Sequence, residues 1–147
     1  MEAIQSVAVL LVEDSAADAE LTLGALREQR LCDDIEWVTD GVEALDYLHG
    51  RGAYAAREAT IPRLVLMDLK LPRMDGFDLL RTMKQDATLR GIPVVMLTSS
   101  AEESDLLRSY ELGVNSYVVK PVDFEAFHAE IRKLGCYWLL TNRVPDR

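Results

Sequence analysis

Five short runs of apolar, often β-branched residues recur along the chain, and a stripe at helical spacing follows each. The runs are Val7–Val12 (VAVLLV), Ile35–Val38 (IEWV), Leu64–Met67 (LVLM), Pro93–Leu97 (PVVML) and Ser116–Val119 (SYVV). Most are apolar at every position rather than at alternate ones, the mark of strands covered on both faces. The stripes are Leu21, Ala25 and Leu26 within roughly Asp18–Gln29, then Val42, Leu45 and Leu48 after the Thr39-Asp40-Gly41 turn. Phe77, Leu80 and Met83 follow within Phe77–Asp86, and Glu102–Leu112 is an acid-started helix ended by Gly113. The last stripe is Phe124, Phe127, Ile131, Leu134 and Trp138, after Asp123. Strands alternating with helices predict a doubly wound α/β fold, a five-stranded parallel sheet with helices on both faces. His49–Arg63, with two Gly, one Pro and three Arg, reads as one long loop.

Open parallel sheets bind ligands outside the carboxyl ends of their strands. The residues standing there are Glu13-Asp14, Asp68, Thr98 and Lys120. Asp68 is the least expected of them, since it ends the apolar run Leu64–Met67 with a charge. Carboxylates crowded together repel and are driven toward protonation unless a cation shares their site. Oxygen-only ligands suit a hard divalent ion, and Mg²⁺ typically takes one or two carboxylates plus waters and phosphate oxygens. Such a site beside a nucleophilic carboxylate suits phosphoryl transfer. Helix capping accounts for Asp14 alone or Thr98 alone. It does not explain Lys120 or the Glu13-Asp14 pair.

At 147 residues the chain fits one domain. Its 16 basic against 25 acidic residues give a net charge of −9, which disfavours binding to a nucleic-acid backbone. No apolar run approaches the roughly 20 residues that cross a bilayer, and MEAIQSVAVLLVED lacks the basic flank of a secretory signal. The expected location is the cytoplasm, with no membrane partner. Cys32 and Cys136 lack zinc spacing and read as reduced thiols. No GxxxxGK or glycine-rich ATP loop occurs, which argues against a kinase.

LLVED, VLMDLKLPRMDG, LTSS and VVKP resemble, in order and spacing, the receiver domain of two-component response regulators. The resemblance covers roughly Val7–Leu134 and implies a flavodoxin-like sheet of order 2-1-3-4-5. It implies that Asp68 is the phosphoacceptor for a histidine kinase, and that Glu13, Asp14, Asp68 and the backbone carbonyl of Lys70 hold Mg²⁺, with Mn²⁺ or Ca²⁺ able to substitute. Thr98 and Lys120 would stabilise the phosphoryl group, and the chain would be a phosphoryl acceptor and no enzyme, at most phosphorylating itself from a donor and dephosphorylating itself. Thr98 and Tyr117 would form the switch, and the Lys120–Pro121 bond would be cis. Glu13 stands where aspartate is commoner, one methylene longer. Ser99 is small enough to admit a donor, while Lys70 and Ser100 flank the site. Without the family, Tyr117 reads as a half-buried edge aromatic.

The division expected is a receiver over 1–134 and an extension of the last helix over 135–147, with no output domain in the thirteen residues after Leu134. Tyr137, Trp138, Leu139 and Leu140 would continue that helix past its own core, as a dimer or partner surface. The long loop and this tail resemble the single-domain regulators associated with bacterial and cyanobacterial phytochromes, which implies a phytochrome-linked kinase and a homodimer. Two alternatives stand beside this: a constitutive dimeric adaptor with vestigial phosphorylation, and an aspartate-dependent phosphatase. The phosphatase needs a DxD motif that Asp68-Leu69-Lys70 lacks.

Overall fold

In the computed structural model, which describes residues 8–28, 34–56 and 61–143, every apolar run becomes a strand. The strands are β1 (Ala8–Val12), β2 (Asp34–Val38), β3 (Leu64–Met67), β4 (Val94–Thr98) and β5 (Ser116–Val119). They pair in parallel in the order β2-β1-β3-β4-β5. Five helices alternate with them: α1 (Ala16–Glu28), α2 (Gly41–His49), α3 (Gly76–Gln85), α4 (Glu103–Glu111) and α5 (Phe124–Cys136).

Strand pleating divides the core into two layers. Leu10, Val12, Val65, Met67, Val94 and Met96 face α2 and α3, meeting Leu45, Leu48, Leu80 and Met83. Val9, Leu11, Leu64, Leu66, Val95 and Leu97 face α1 and α5, meeting Leu23, Leu26, Phe127 and Ile131. Asp40, Asp75 and Asp123 cap α2, α3 and α5, each carboxylate accepting a first-turn backbone N–H. The chain leaves β1 outward to β2 and returns to β3 on the other side. The switch point therefore lies between β1 and β3, the two strands that deliver Glu13 and Asp68.

Several expectations are corrected. Phe124 shares the α5 stripe in sequence but is 72% exposed, because it is the first residue of the helix. The loop after α2 is anchored at its start. Gly50 and Gly52 take left-handed backbone, and a single 3-10 turn at Gly52–Tyr54 sets the Tyr54 ring edge-on to Tyr47 at 5.2 Å. Residues 57–60 of that loop, like Val7 and Cys32, lie outside the described residues. Cys136 is a free, exposed thiol.

The tail does not run off the body as a free arm. Past Cys136 the helix widens into a π-helical turn, Tyr137–Thr141, that rotates Leu139 into the second core layer, where it is only 4% exposed. Trp138 packs against the same layer and edge-on to Tyr137, leaving Tyr137 and Leu140 as the exposed pair. Leu139→Ala is therefore expected to cost about 2–4 kcal/mol, and Leu140→Ala less than about 0.5 kcal/mol. Urea midpoints check the ranking; equal costs would detach the tail from the core.

Candidate functional site

Each chemistry-bearing strand end is held by one more ladder bond. The Glu13 N–H donates to the Val38 carbonyl at 3.0 Å, Asp68 to Val12 at 3.1 Å and Lys120 to Thr98 at 2.7 Å. These backbones are thus fixed by neighbouring strands, so their side chains leave the sheet edge in set directions. Glu13, Asp68, Thr98 and Lys120 are buried, while Asp14 is exposed.

The Lys120 ammonium directs its three N–H bonds at three carboxylates. Glu13 Oε1 accepts at 2.7 Å, Asp18 Oδ2 at 2.8 Å and Asp68 Oδ2 at 3.0 Å. Burial alone would lower the lysine pKa, but the hydrogen bonds to Asp18 and Glu13 and the charge of Asp68 outweigh it and raise it. For Glu13 the balance differs. Burial pushes its carboxyl up to about 7, against the pull of Lys120. Asp68 Oδ1 accepts the Leu69 N–H at 2.7 Å, which fixes the plane of the carboxylate.

One ammonium facing three carboxylates leaves surplus negative charge, and Asp14 adds to it. Carboxylate oxygens of Glu13, Asp14 and Asp68 lie within 4.8 Å of one another. This all-oxygen set fits a hard divalent cation, which would also draw Glu13 toward its charged form. Beside it opens a cavity of about 540 Å³, lined by Asp68, Lys70, Thr98, Ser99, Ser100 and Asp105 among others. Thr98 Oγ1 accepts the Ser100 N–H at 3.2 Å. The Tyr117 hydroxyl donates to the Ser100 carbonyl at 3.0 Å, and Ser100 Oγ donates to Asp105 at 2.6 Å. Tyr117 is half-buried, tied to the loop that carries the cavity wall.

The expected cis Lys120–Pro121 bond is not found; the described residues contain no cis peptide. Lys120 is aimed instead by its ladder bond and its three carboxylate partners.

Residues 9–132 match the family description "Response regulator receiver domain". The chain belongs to the response regulator receiver family. It is 41% identical over 145 residues to a probable methanogenesis regulatory protein, FilR2, of Methanothrix harundinacea, covering 99% of this chain and 92% of that protein. The phosphorylated cyanobacterial phytochrome response regulator RcpA superposes with a TM-score of 0.90 at 37% identity, over 97% of this receiver and all of that chain. The bacteriophytochrome response regulator AtBRR is 52% identical, with a TM-score of 0.76, over 95% of this receiver and all of that chain.

The geometry also adds two residues that motif reading passes over. Asp18, in the first turn of α1, reaches Lys120 across 102 residues, with no local pattern to signal it. Trp37 Nε1 donates to the Glu13 carbonyl at 2.7 Å from the adjacent strand, across 24 residues, with no local pattern to betray it. That bond makes Trp37 a reporter. In a Trp138→Phe receiver, added Mg²⁺ or Mn²⁺ should change Trp37 emission saturably. Emission indifferent to either ion would separate Trp37 from metal entry.

Proposed function

We propose that this receiver is a stand-alone two-component response regulator, phosphorylated on Asp68 by a histidine kinase and signalling through interactions that depend on the phosphate. The observation that carries the reading is the Asp68 carboxylate, fixed at a sheet edge between a buried ammonium and an acidic cluster, beside an open cavity. Its Oδ1 is engaged by the Leu69 N–H. Oδ2 is free to attack once Lys120 turns toward the incoming phosphoryl oxygens.

Glu13, Asp14, Asp68 and the Lys70 carbonyl are the candidate holders of Mg²⁺, which when bound offsets charge on the phosphoryl oxygens. Lys120 balances the remaining charge, and Thr98 Oγ1 is the hydroxyl placed to donate to the phosphoryl group. In transfer, Asp68 forms the new P–O bond as the donor's P–N bond breaks, and the electron pair stays on the imidazole. The product carries roughly −1.5 to −2 charge by analogy with other phosphoresidues. Drawing Thr98 toward it would free the Ser100 N–H, and with it the loop that holds the Tyr117 hydroxyl. This is a two-state element biased by a local charge. The receiver acts as an acceptor, with no substrate turned over beyond its own phosphate.

The likeness to RcpA and AtBRR supports a phytochrome-linked kinase. No described helix is long and apolar enough to cross a membrane. With a net charge of −9, the chain suits a cytoplasmic protein partner over a nucleic acid. Residues 1–134 form the receiver proper and 135–147 its extension, whose exposed Tyr137 and Leu140 serve a homodimer. Transfer profiling from phosphorylated kinases, phytochrome-linked ones included, tests the reading. Rapid, Mg²⁺-dependent labelling by one of them is expected. Light scattering tests the dimer: Tyr137→Asp with Leu140→Asp should halve the mass, and a monomeric wild type would remove the claim.

A further inference from the structure

We infer that Asp18 is a positioning residue for Lys120, holding the ammonium in line for phosphoryl transfer once a cation occupies the acidic cluster. The inference rests on the reading of Asp68 as phosphoacceptor and concerns a residue that the receiver motifs do not include.

An ammonium has three N–H bonds, and Lys120 directs all three at carboxylates. Two of these partners, Glu13 and Asp68, belong to the acidic trio that fits a divalent ion. A cation there takes up their charge and weakens their hold on the lysine. Asp18 is outside the trio. It is the one carboxylate partner of Lys120 that neither a metal nor a phosphoryl group claims. Its place follows from α1, whose first turn stands directly after the strand end bearing Glu13 and Asp14. The Asp18 side chain is about one-third exposed, so it is not needed to fill the core.

The lysine side chain is long and rotamer-rich, and every bond that fixes its head reduces the freedom lost on reaching the reacting oxygens. Glu13, directly after β1, and Asp18, on α1, bond its Nζ at 2.7 and 2.8 Å, while Asp68 is the longest of the three at 3.0 Å. Asp18 thus keeps Nζ beside Asp68 while leaving that third bond free to pass to a phosphoryl oxygen. With an acyl phosphate as donor, an Asp68 oxygen bonds to phosphorus as the donor's P–O bond breaks. The electron pair leaves on the released carboxylate, and no redox partner is needed.

The test is phosphorylation of the full chain by acetyl phosphate at saturating Mg²⁺. Asp18→Asn should lower the rate about tenfold, the worth of one charge-assisted hydrogen bond. Mg²⁺ affinity, read from Trp37 emission with Trp138→Phe also present, should be unchanged. Asp18→Glu should restore most of the rate. Without metal, Asp18→Asn should shift the urea midpoint in wild type but not in Lys120→Met. A wild-type rate for Asp18→Asn, or an equal shift in both backgrounds, overturns the inference. Failure of wild type to be labelled on Asp68 at all would instead remove the reading beneath it.

Discussion

Asp68→Asn is expected to accept no phosphoryl group from any donor while keeping the fold. The amide retains the shape of the carboxylate and can still accept the Leu69 N–H through its oxygen. What it lacks is the anionic nucleophile. The same change removes one of the negative charges crowded around Lys120, which keeps Glu13 and Asp18 as partners. Stability should therefore be equal to wild type or higher, since like charges at short range oppose one another. Loss of labelling with an unchanged or raised urea midpoint is the expected pair of results. Loss of both would mean only that the variant unfolds, and full labelling would move the phosphate elsewhere.

Gly76→Ala should damage fold and site together. A Cβ at Gly76 would stand 2.3 Å from the Asp68 carbonyl oxygen, 2.8 Å from Leu69 Cα and 3.2 Å from the Asp68 carbonyl carbon. All three are backbone atoms, so no side chain can swing aside. The Gly76 N–H also donates to the Leu69 carbonyl at 2.8 Å, tying the start of α3 to the residue after Asp68. Relief requires moving α3 or Asp68, at a cost of about 3 kcal/mol. Slower phosphorylation should accompany the loss, because Asp68 moves with its backbone. Gly24→Ala is the control: apart from its own helix backbone and chain neighbours, nothing lies within 4 Å of a Cβ there. That change should stabilise by about 0.5–1 kcal/mol. A neutral Gly76→Ala would deny the close approach of α3 to the end of β3.

Much of the site was legible because strand ends in an open parallel sheet converge by topology. Once the apolar runs ending before Glu13 and Asp68 are strands, those side chains must meet at one edge. The Thr39-Asp40-Gly41 turn was equally legible, since Asp40 caps α2 within one turn of its own helix. Spacing, however, gives a face and not a depth. Phe124 keeps step with Phe127 yet stands out in solvent at the first position of α5. Leu139 is the converse case: an α-helical continuation would place it otherwise, and the π-helical turn carries it into the core. Asp18 and Trp37 escaped because their partners lie 102 and 24 residues away. Their importance comes from which strand ends and helix starts stand side by side.

The central claim is that Asp68 carries the phosphate, and mapping the modified residue in wild-type protein tests it most directly. The full chain would be labelled by a phosphorylated histidine kinase with Mg²⁺, then reduced with borohydride, which converts an aspartyl phosphate to homoserine. The account predicts homoserine at position 68 alone. Homoserine at another aspartate, or an acid-stable phosphate on a serine, threonine or tyrosine, would contradict it.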